Sequence, residues 1–263
     1  MRNLVIVIEY DGSAFRGWQI QPGVETVQGR VEQALFEMLG HKVRLTASGR
    51  TDVGVHAKGQ VANFYTENPI SCYKLPLGLN VRLWPHIAVK DCFEVPLAFD
   101  SRRSAKKKTY CYRLYCSRTP SPLRDNTHCQ VYKTLSVDSM RKGAEYLVGR
   151  HDFAAFCASG GSSLTTEREI YSCRVEAFGD TVEIYVTGSA FLYNMVRIIA
   201  GTLSDVGSGK IPPEEVGEIL RSGDRRRAGR TLKAGGLTLE SVEYDFGSDY
   251  NVYNLRGNSD YNG

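Results

Sequence analysis

The sequence predicts an α+β fold made of two related subdomains, each a mainly antiparallel sheet flanked by helices. Three observations lead there. Short runs rich in Val, Ile and Tyr are interleaved with capped segments of helical period. Two of those runs are joined by the dipeptide Gly179-Asp180, the composition of a tight antiparallel hairpin. The order of segments in the first half then recurs in the second, and 263 residues with 42% apolar content suffice to bury a core for each half.

Taken in order, residues 4–8 form an unbroken apolar run that reads as a buried strand ending in an Asp11-Gly12 turn. Val27, Val31, Ala34, Leu35 and Met38 recur at helical spacing, with Thr26 as N-cap and Gly40 as terminator. Strands are expected at residues 42–47, 61–65 and 87–89, and at 109–116, where both faces are partly apolar. In the second half Ser136 caps a helix carrying Met140, Ala144, Leu147 and Val148, closed by Gly149. Residues 173–178 and 182–187 form the hairpin. Residues 191–206 read as a helix apolar nearly all round, hence central. Pro212-Pro213 opens a short helix to Leu220, and residues 237–246 make a last strand. The expected division is 1–104, 105–247 and a fraying tail at 248–263, which lacks periodicity.

Composition narrows the function. The apolar run near the N-terminus is too short for a signal-peptide core or a membrane span, which points to a cytoplasmic chain with no membrane partner. Seven Cys without a Cys-x-x-Cys pair and five scattered His argue for reduced thiols and against a metal site. The net charge of +4 says little, but its distribution says more. Arg102, Arg103, Lys106, Lys107, Lys108 and Arg113 face one anion, Asp100, and Arg221, Arg225, Arg226, Arg227, Arg230 and Lys233 form a second cluster interrupted by Asp224. Such clusters suit a polyanion, whose counterions they release, although a charge run also serves simply as a solvated face.

The segment Gly49-Arg50-Thr51-Asp52-Val53-Gly54-Val55-His56-Ala57 lies between two expected strands and is therefore a loop, where reactive side chains concentrate. By itself, an Asp between glycines equally suits a turn residue bonding its own backbone. As a sequence, however, Gly-Arg-Thr-Asp-x-Gly-Val-His-Ala resembles the signature of the TruA family of tRNA pseudouridine synthases. Further matches follow in the same order: Ile8-Glu9-Tyr10-Asp11-Gly12, Gly17-Trp18-Gln19-x-Gln21-Pro22, Thr26-Val27-Gln28, Leu79-Asn80, Leu83-x-Pro85 and Phe99-x-x-Arg102. Ser104-Ala105, Tyr110-x-Tyr112, His151-Asp152-Phe153, Phe191-Leu192-x-x-Met195-Val196-Arg197 and Gly236-Leu237-x-Leu239 complete the run. The chain departs from the family pattern at Arg103, where an aromatic is common, and at Thr109, where an Arg is usual.

The resemblance implies the pseudouridine synthase fold, with the catalytic cleft between the subdomains, and a homodimer acting on uridines 38–40 of the tRNA anticodon stem-loop. Asp52 falls on the catalytic carboxylate, Tyr110 on a tyrosine that stacks on the base and moves its proton, and Arg197 on the cation paired with the aspartate. Leu237 or Leu239 falls on apolar packing near the base. Arg50, His56, Gln19, Asn80, Arg102, Lys107, Arg168 and Arg226 are the expected RNA contacts. The reaction breaks C1′–N1, turns the base and joins C1′ to C5. It is redox-neutral, which fits a chain with no phosphate-binding glycine loop or dinucleotide turn, so no cofactor and no nucleotide are expected. An ionised Asp serves attack at C1′, attack at C6 or removal of a sugar proton alike. Two alternatives stand beside this reading: the same chemistry on another structured RNA such as ribosomal RNA, and a non-catalytic RNA-binding or RNA-folding module.

Overall fold

The computed structural model describes residues 1–161 and 163–245; the expected tail at 248–263 lies outside them. The fold of the described residues is mixed α+β with a largely antiparallel sheet. The chain divides into two compact units: Met1–Lys106 together with the residues from Leu239, and Lys107–Thr238. The sequence-based division keeps residues 105–247 together, whereas here the last strand changes unit partway along its length.

The first unit opens with β1 (Arg2–Tyr10), whose residues 4–8 are all buried, as expected of a Val/Ile run covered on both faces. Helix α1 (Val27–Leu39) begins where the Thr26 hydroxyl accepts the Gly29 N–H at 3.3 Å and ends at Gly40, whose φ of 77° is left-handed. The strand expected at 42–47 shrinks to β2 (Thr46–Ala47), because Lys42 and Arg44 are exposed and only the last two residues pair. β3 (His56–Thr66) starts earlier than expected, followed by α2 (Lys74–Leu83), absent from the sequence reading, and by β4 (Ile87–Val95). The strand order is β4-β1-β3-β10, β10 being Leu237–Tyr244, with β1 antiparallel to both β3 and β4. β3 and β10 come so close that a Cβ on Gly59 would lie 2.7 Å from the Glu240 carbonyl oxygen, and Lys58 pairs with Glu240 at 3.0 Å.

The second unit is built on β5 (Ala105–Cys116), β9 (Thr181–Gly188), β8 (Glu167–Phe178) and β7 (Gly149–Asp152), in the order β5-β9-β8-β7. β6 (Cys129–Val131) lies parallel on β5. The β8–β9 hairpin turns at Gly179-Asp180, Gly179 having a φ of 61°, with Phe178 opposite Thr181. α3 (Val137–Glu145) is capped by the Ser136 hydroxyl, which accepts the Ser139 N–H at 3.3 Å; Gly149, expected to close it, instead begins β7. α4 (Met195–Gly207) is buried nearly all round, yet starts four residues later than expected, because Asn194 adopts a left-handed φ of 59°. α5 (Glu215–Ser222) follows the Pro-Pro pair and ends at Gly223. Among the described residues no helix is long and apolar enough to cross a membrane.

Candidate active site

Residues 48–55 connect β2 to β3 and are pegged into the first unit at intervals. Ser48, Thr51 and Val55 are buried, Arg50 and Val53 are exposed, and Asp52 is half-buried. Each peg has identifiable partners. The Gln60 amide, on β3, donates to the Gly49 carbonyl at 2.9 Å and accepts from the Ser48 hydroxyl at 2.7 Å. The Tyr10 and Thr51 hydroxyls lie 2.7 Å apart in a buried hydrogen bond, and the Thr51 carbonyl accepts the Trp18 N–H at 3.1 Å. Beyond Asp52, its carbonyl accepts the Val55 N–H at 3.1 Å, closing a four-residue turn whose third position, Gly54, has a φ of 79°. The exposed guanidinium of Arg50 and the half-buried carboxylate of Asp52 are thus set on a backbone fixed on both sides.

The end of the loop is anchored through His56. This side chain is buried; its Nδ1 accepts the Gly12 N–H at 3.1 Å and lies 3.2 Å from Asp11 Oδ1. The Asp11 carboxyl sits below the usual carboxylate range: partial desolvation opposes its ionisation, but Ser13, through hydroxyl and backbone N–H, with His56 and His86, outweighs it. Asn80 is also used internally, since its amide donates to the Val89 carbonyl at 3.0 Å and accepts the Val89 N–H at 2.7 Å, tying α2 to β4. Gln19 is half-buried beside Trp18, and Arg102 is exposed on a turn whose backbone N–H bonds Asp100. Leu239 is buried in β10.

In the second unit, Tyr110 sits on β5 opposite Val186, at the edge of burial, its ring edge-on to Phe191 at 5.1 Å. Tyr112, two residues on and on the same strand face, is fully buried and donates to the Lys233 carbonyl at 2.7 Å. Burial pushes its phenol far above the ordinary value, and the neighbouring Cys129 adds to the shift. Arg197, on the first turn of α4, donates through Nε to the Leu232 carbonyl at 2.7 Å and through a terminal nitrogen to Asn194 Oδ1 at 2.6 Å. The left-handed Asn194 that delays the helix therefore also steadies this cation. Leu237 is buried at the start of β10.

The basic clusters are more tied down than their composition suggests. Lys107 is exposed, with its ammonium 5.5 Å from the Tyr171 ring centroid. Arg168 is half-buried and donates to the carbonyls of Thr165 and Glu167. Arg225 donates to the Gly229 carbonyl at 3.0 Å and to Thr231 at 3.1 Å, which makes it a loop support. Arg226 is exposed and paired with Asp224 at 2.8 Å; hydrogen bonds from Arg226, side chain first and then backbone, hold that carboxyl down to about 2. Sequence reasoning had no structural role for Tyr10, Trp18 or Gln60. A polar residue inside the apolar run of a strand was the available signal for Gln60.

The mixed α+β fold with its anchored Gly-Arg-Thr-Asp loop fits the class of RNA-modifying isomerases. The chain belongs to the tRNA pseudouridine synthase family, whose model matches residues 6–102 and 144–245. It is 44% identical to the tRNA pseudouridine synthase A of Caldicellulosiruptor bescii, over 93% of this chain and 100% of that one. It is 46% identical to the proteins of the same name from Caldicellulosiruptor saccharolyticus and from Geotalea daltonii, over 93% of this chain and 100% of each. A solved structure described as the archaeal box H/ACA sRNP Nop10-Cbf5 complex covers 92% of this chain and 49% of its own at 11% identity and a TM-score of 0.38, so the assignment rests on the sequence relatives.

Proposed function

We propose that this protein isomerises uridine to pseudouridine in the anticodon stem-loop of tRNA, at positions 38–40, acting as a cytoplasmic homodimer without cofactor or metal. The observation that carries the reading is the loop at residues 49–57, in which Asp52 heads a tight turn between fixed neighbours, in a chain similar over 93% of its length to proteins named tRNA pseudouridine synthase A. Asp52 is the catalytic carboxylate. Tyr110 stacks on the base and moves its proton, Arg197 keeps the carboxylate ionised and aimed, and Leu237 or Leu239 supplies apolar packing near the base.

The target base must leave its stack, at a cost of a few kcal/mol. Stacking on Tyr110, worth about 1–3 kcal/mol, offsets much of that cost, with Arg50 or His56 filling the gap left behind. Arg102, Lys107, Arg168 and Arg226, with Gln19, position the RNA backbone without reading sequence. His56 and Asn80, the remaining RNA contacts of this reading, also have internal partners that hold the loop and α2 in place.

Joining C1′ to C5 displaces the hydrogen from C5, so tritium release from RNA labelled at uridine C5 measures the reaction directly. Release from a whole tRNA transcript, absent with Asp52→Ala while RNA binding persists, is the expected outcome. Turnover by Asp52→Ala within about tenfold of the unaltered protein refutes the carboxylate assignment. Release from ribosomal RNA fragments alone moves the target. Tight binding with no release from any RNA leaves a binding module.

A further inference from the structure

The loop that presents Asp52 is not held by its glycines alone. Thr51, bonded directly to Asp52, is gripped at both ends: its hydroxyl by Tyr10 at 2.7 Å and its carbonyl by the Trp18 N–H at 3.1 Å. The carbonyl bond fixes the plane of the peptide linking Thr51 to Asp52. The hydroxyl bond fixes the rotation of the Thr51 side chain, and with it the seating of its backbone against β1.

Tyr10 reaches further than one contact. Its ring is buried, 6.0 Å from the Trp18 ring, so the residue that grips the Thr51 hydroxyl packs on the residue that grips the Thr51 carbonyl. Gln60 lies near enough to its hydroxyl to bear on its ionisation, and holds the Gly49 carbonyl at 2.9 Å. Tyr10 thereby connects two anchors that straddle Arg50, and the nearer adjoins Asp52. Burial raises its phenol above the ordinary value, against the opposing pull of Thr51 and Gln60. The grip on Thr51 belongs to the hydroxyl and not to the ring, which packs on Trp18 with or without its oxygen.

We infer that Tyr10 is a positioning residue for the reaction: through its hydrogen bond to Thr51 it sets the direction of the Asp52 carboxylate. This rests on Asp52 being the catalytic carboxylate. A carboxylate displaced by about 1 Å from its reacting atom loses on the order of a hundredfold in rate. Tyr10→Phe keeps the ring and removes the oxygen; Thr51→Val keeps the shape and removes the hydroxyl; Thr51→Ser restores a hydroxyl.

The experiment measures kcat and KM for tritium release from tRNA, thermal midpoints, and amide exchange over residues 50–54 for these variants and for Tyr10→Phe with Thr51→Val. Expected are kcat values lowered by about ten- to a hundredfold in Tyr10→Phe and Thr51→Val at unchanged KM. The double variant should be no worse than either single, Thr51→Ser should return to within about twofold of the unaltered protein, and exchange should quicken at Asp52 in the impaired variants only. A kcat within about twofold of the unaltered protein in either hydroxyl-deleted variant overturns the inference, as does a loss that Thr51→Ser does not restore or that tracks the thermal midpoint. Full turnover by Asp52→Asn instead sinks the carboxylate assignment, and the exchange data then test the grip by themselves.

Discussion

Gly12 lies so close to Val55 that a Cβ carbon built on it would stand 2.0 Å from the Val55 carbonyl oxygen. The obstacle is backbone, and it cannot rotate aside. The same residue donates its N–H to His56 Nδ1, so the turn after β1 and the end of the Asp52 loop are two halves of one joint.

Gly12→Ala should therefore force that joint apart. Overpacking a tight site typically costs about 1–3 kcal/mol, and a rigid carbonyl puts this substitution at the upper end. The urea midpoint should fall at unchanged slope, and turnover should fall further than stability alone explains. A midpoint equal to that of the unaltered protein would mean that the loop moves freely away from Gly12.

The second basic cluster divides into two roles. Arg225 supports the loop through the Gly229 carbonyl and Thr231, whereas Arg226 is exposed beside Asp224. Arg226→Glu should weaken tRNA binding and lower the slope of log affinity against log salt by about one, with the thermal midpoint nearly unchanged. Arg225→Glu should lower the midpoint. Binding isotherms at several salt concentrations check the first, and an unaltered slope assigns Arg226 to a solvated face.

His128 gives the fold a pH response of definite sign. Burial, followed by the nearby Arg113 and Arg124, holds its imidazole below the ordinary value of 6.5. Above that value both folded and unfolded chains carry it neutral. As the pH falls below it the unfolded chain takes up the proton first, so stability declines until the folded value is passed. Thermal midpoints between about pH 7 and pH 5 should decline less steeply in His128→Gln than in the unaltered protein. An identical decline would assign the acid response to other groups.

Features set by neighbours in sequence were legible. The Thr26 and Ser136 caps and the Gly179-Asp180 hairpin form where expected, because each depends on residues within three or four positions. Helix α2 was not legible: Pro76 and Gly78 read as breakers. Pro76 falls in the first turn, where no intrahelical N–H is needed, and Gly78 packs closely against the end of the Met38 side chain. Likewise the late start of α4 turns on one left-handed Asn. The Asp52 loop itself was legible as a motif, but its supports were not. Tyr10 and Thr51 are 41 residues apart, and only the pairing of β1 with β3 brings such partners together.

The chain leaves its first unit after Lys106 and re-enters it at Leu239. During synthesis, the half bearing the Asp52 loop is thus made first and completed last. Until the ribosome has passed residue 239, β3 lacks the strand that covers the Gly59 side, and its open edge is available to any other extended segment. Residues 107–238 are free to fold in the interval. A nascent chain stalled before its final strand would carry every residue of the Arg-Thr-Asp motif and still have an unfinished sheet beneath it.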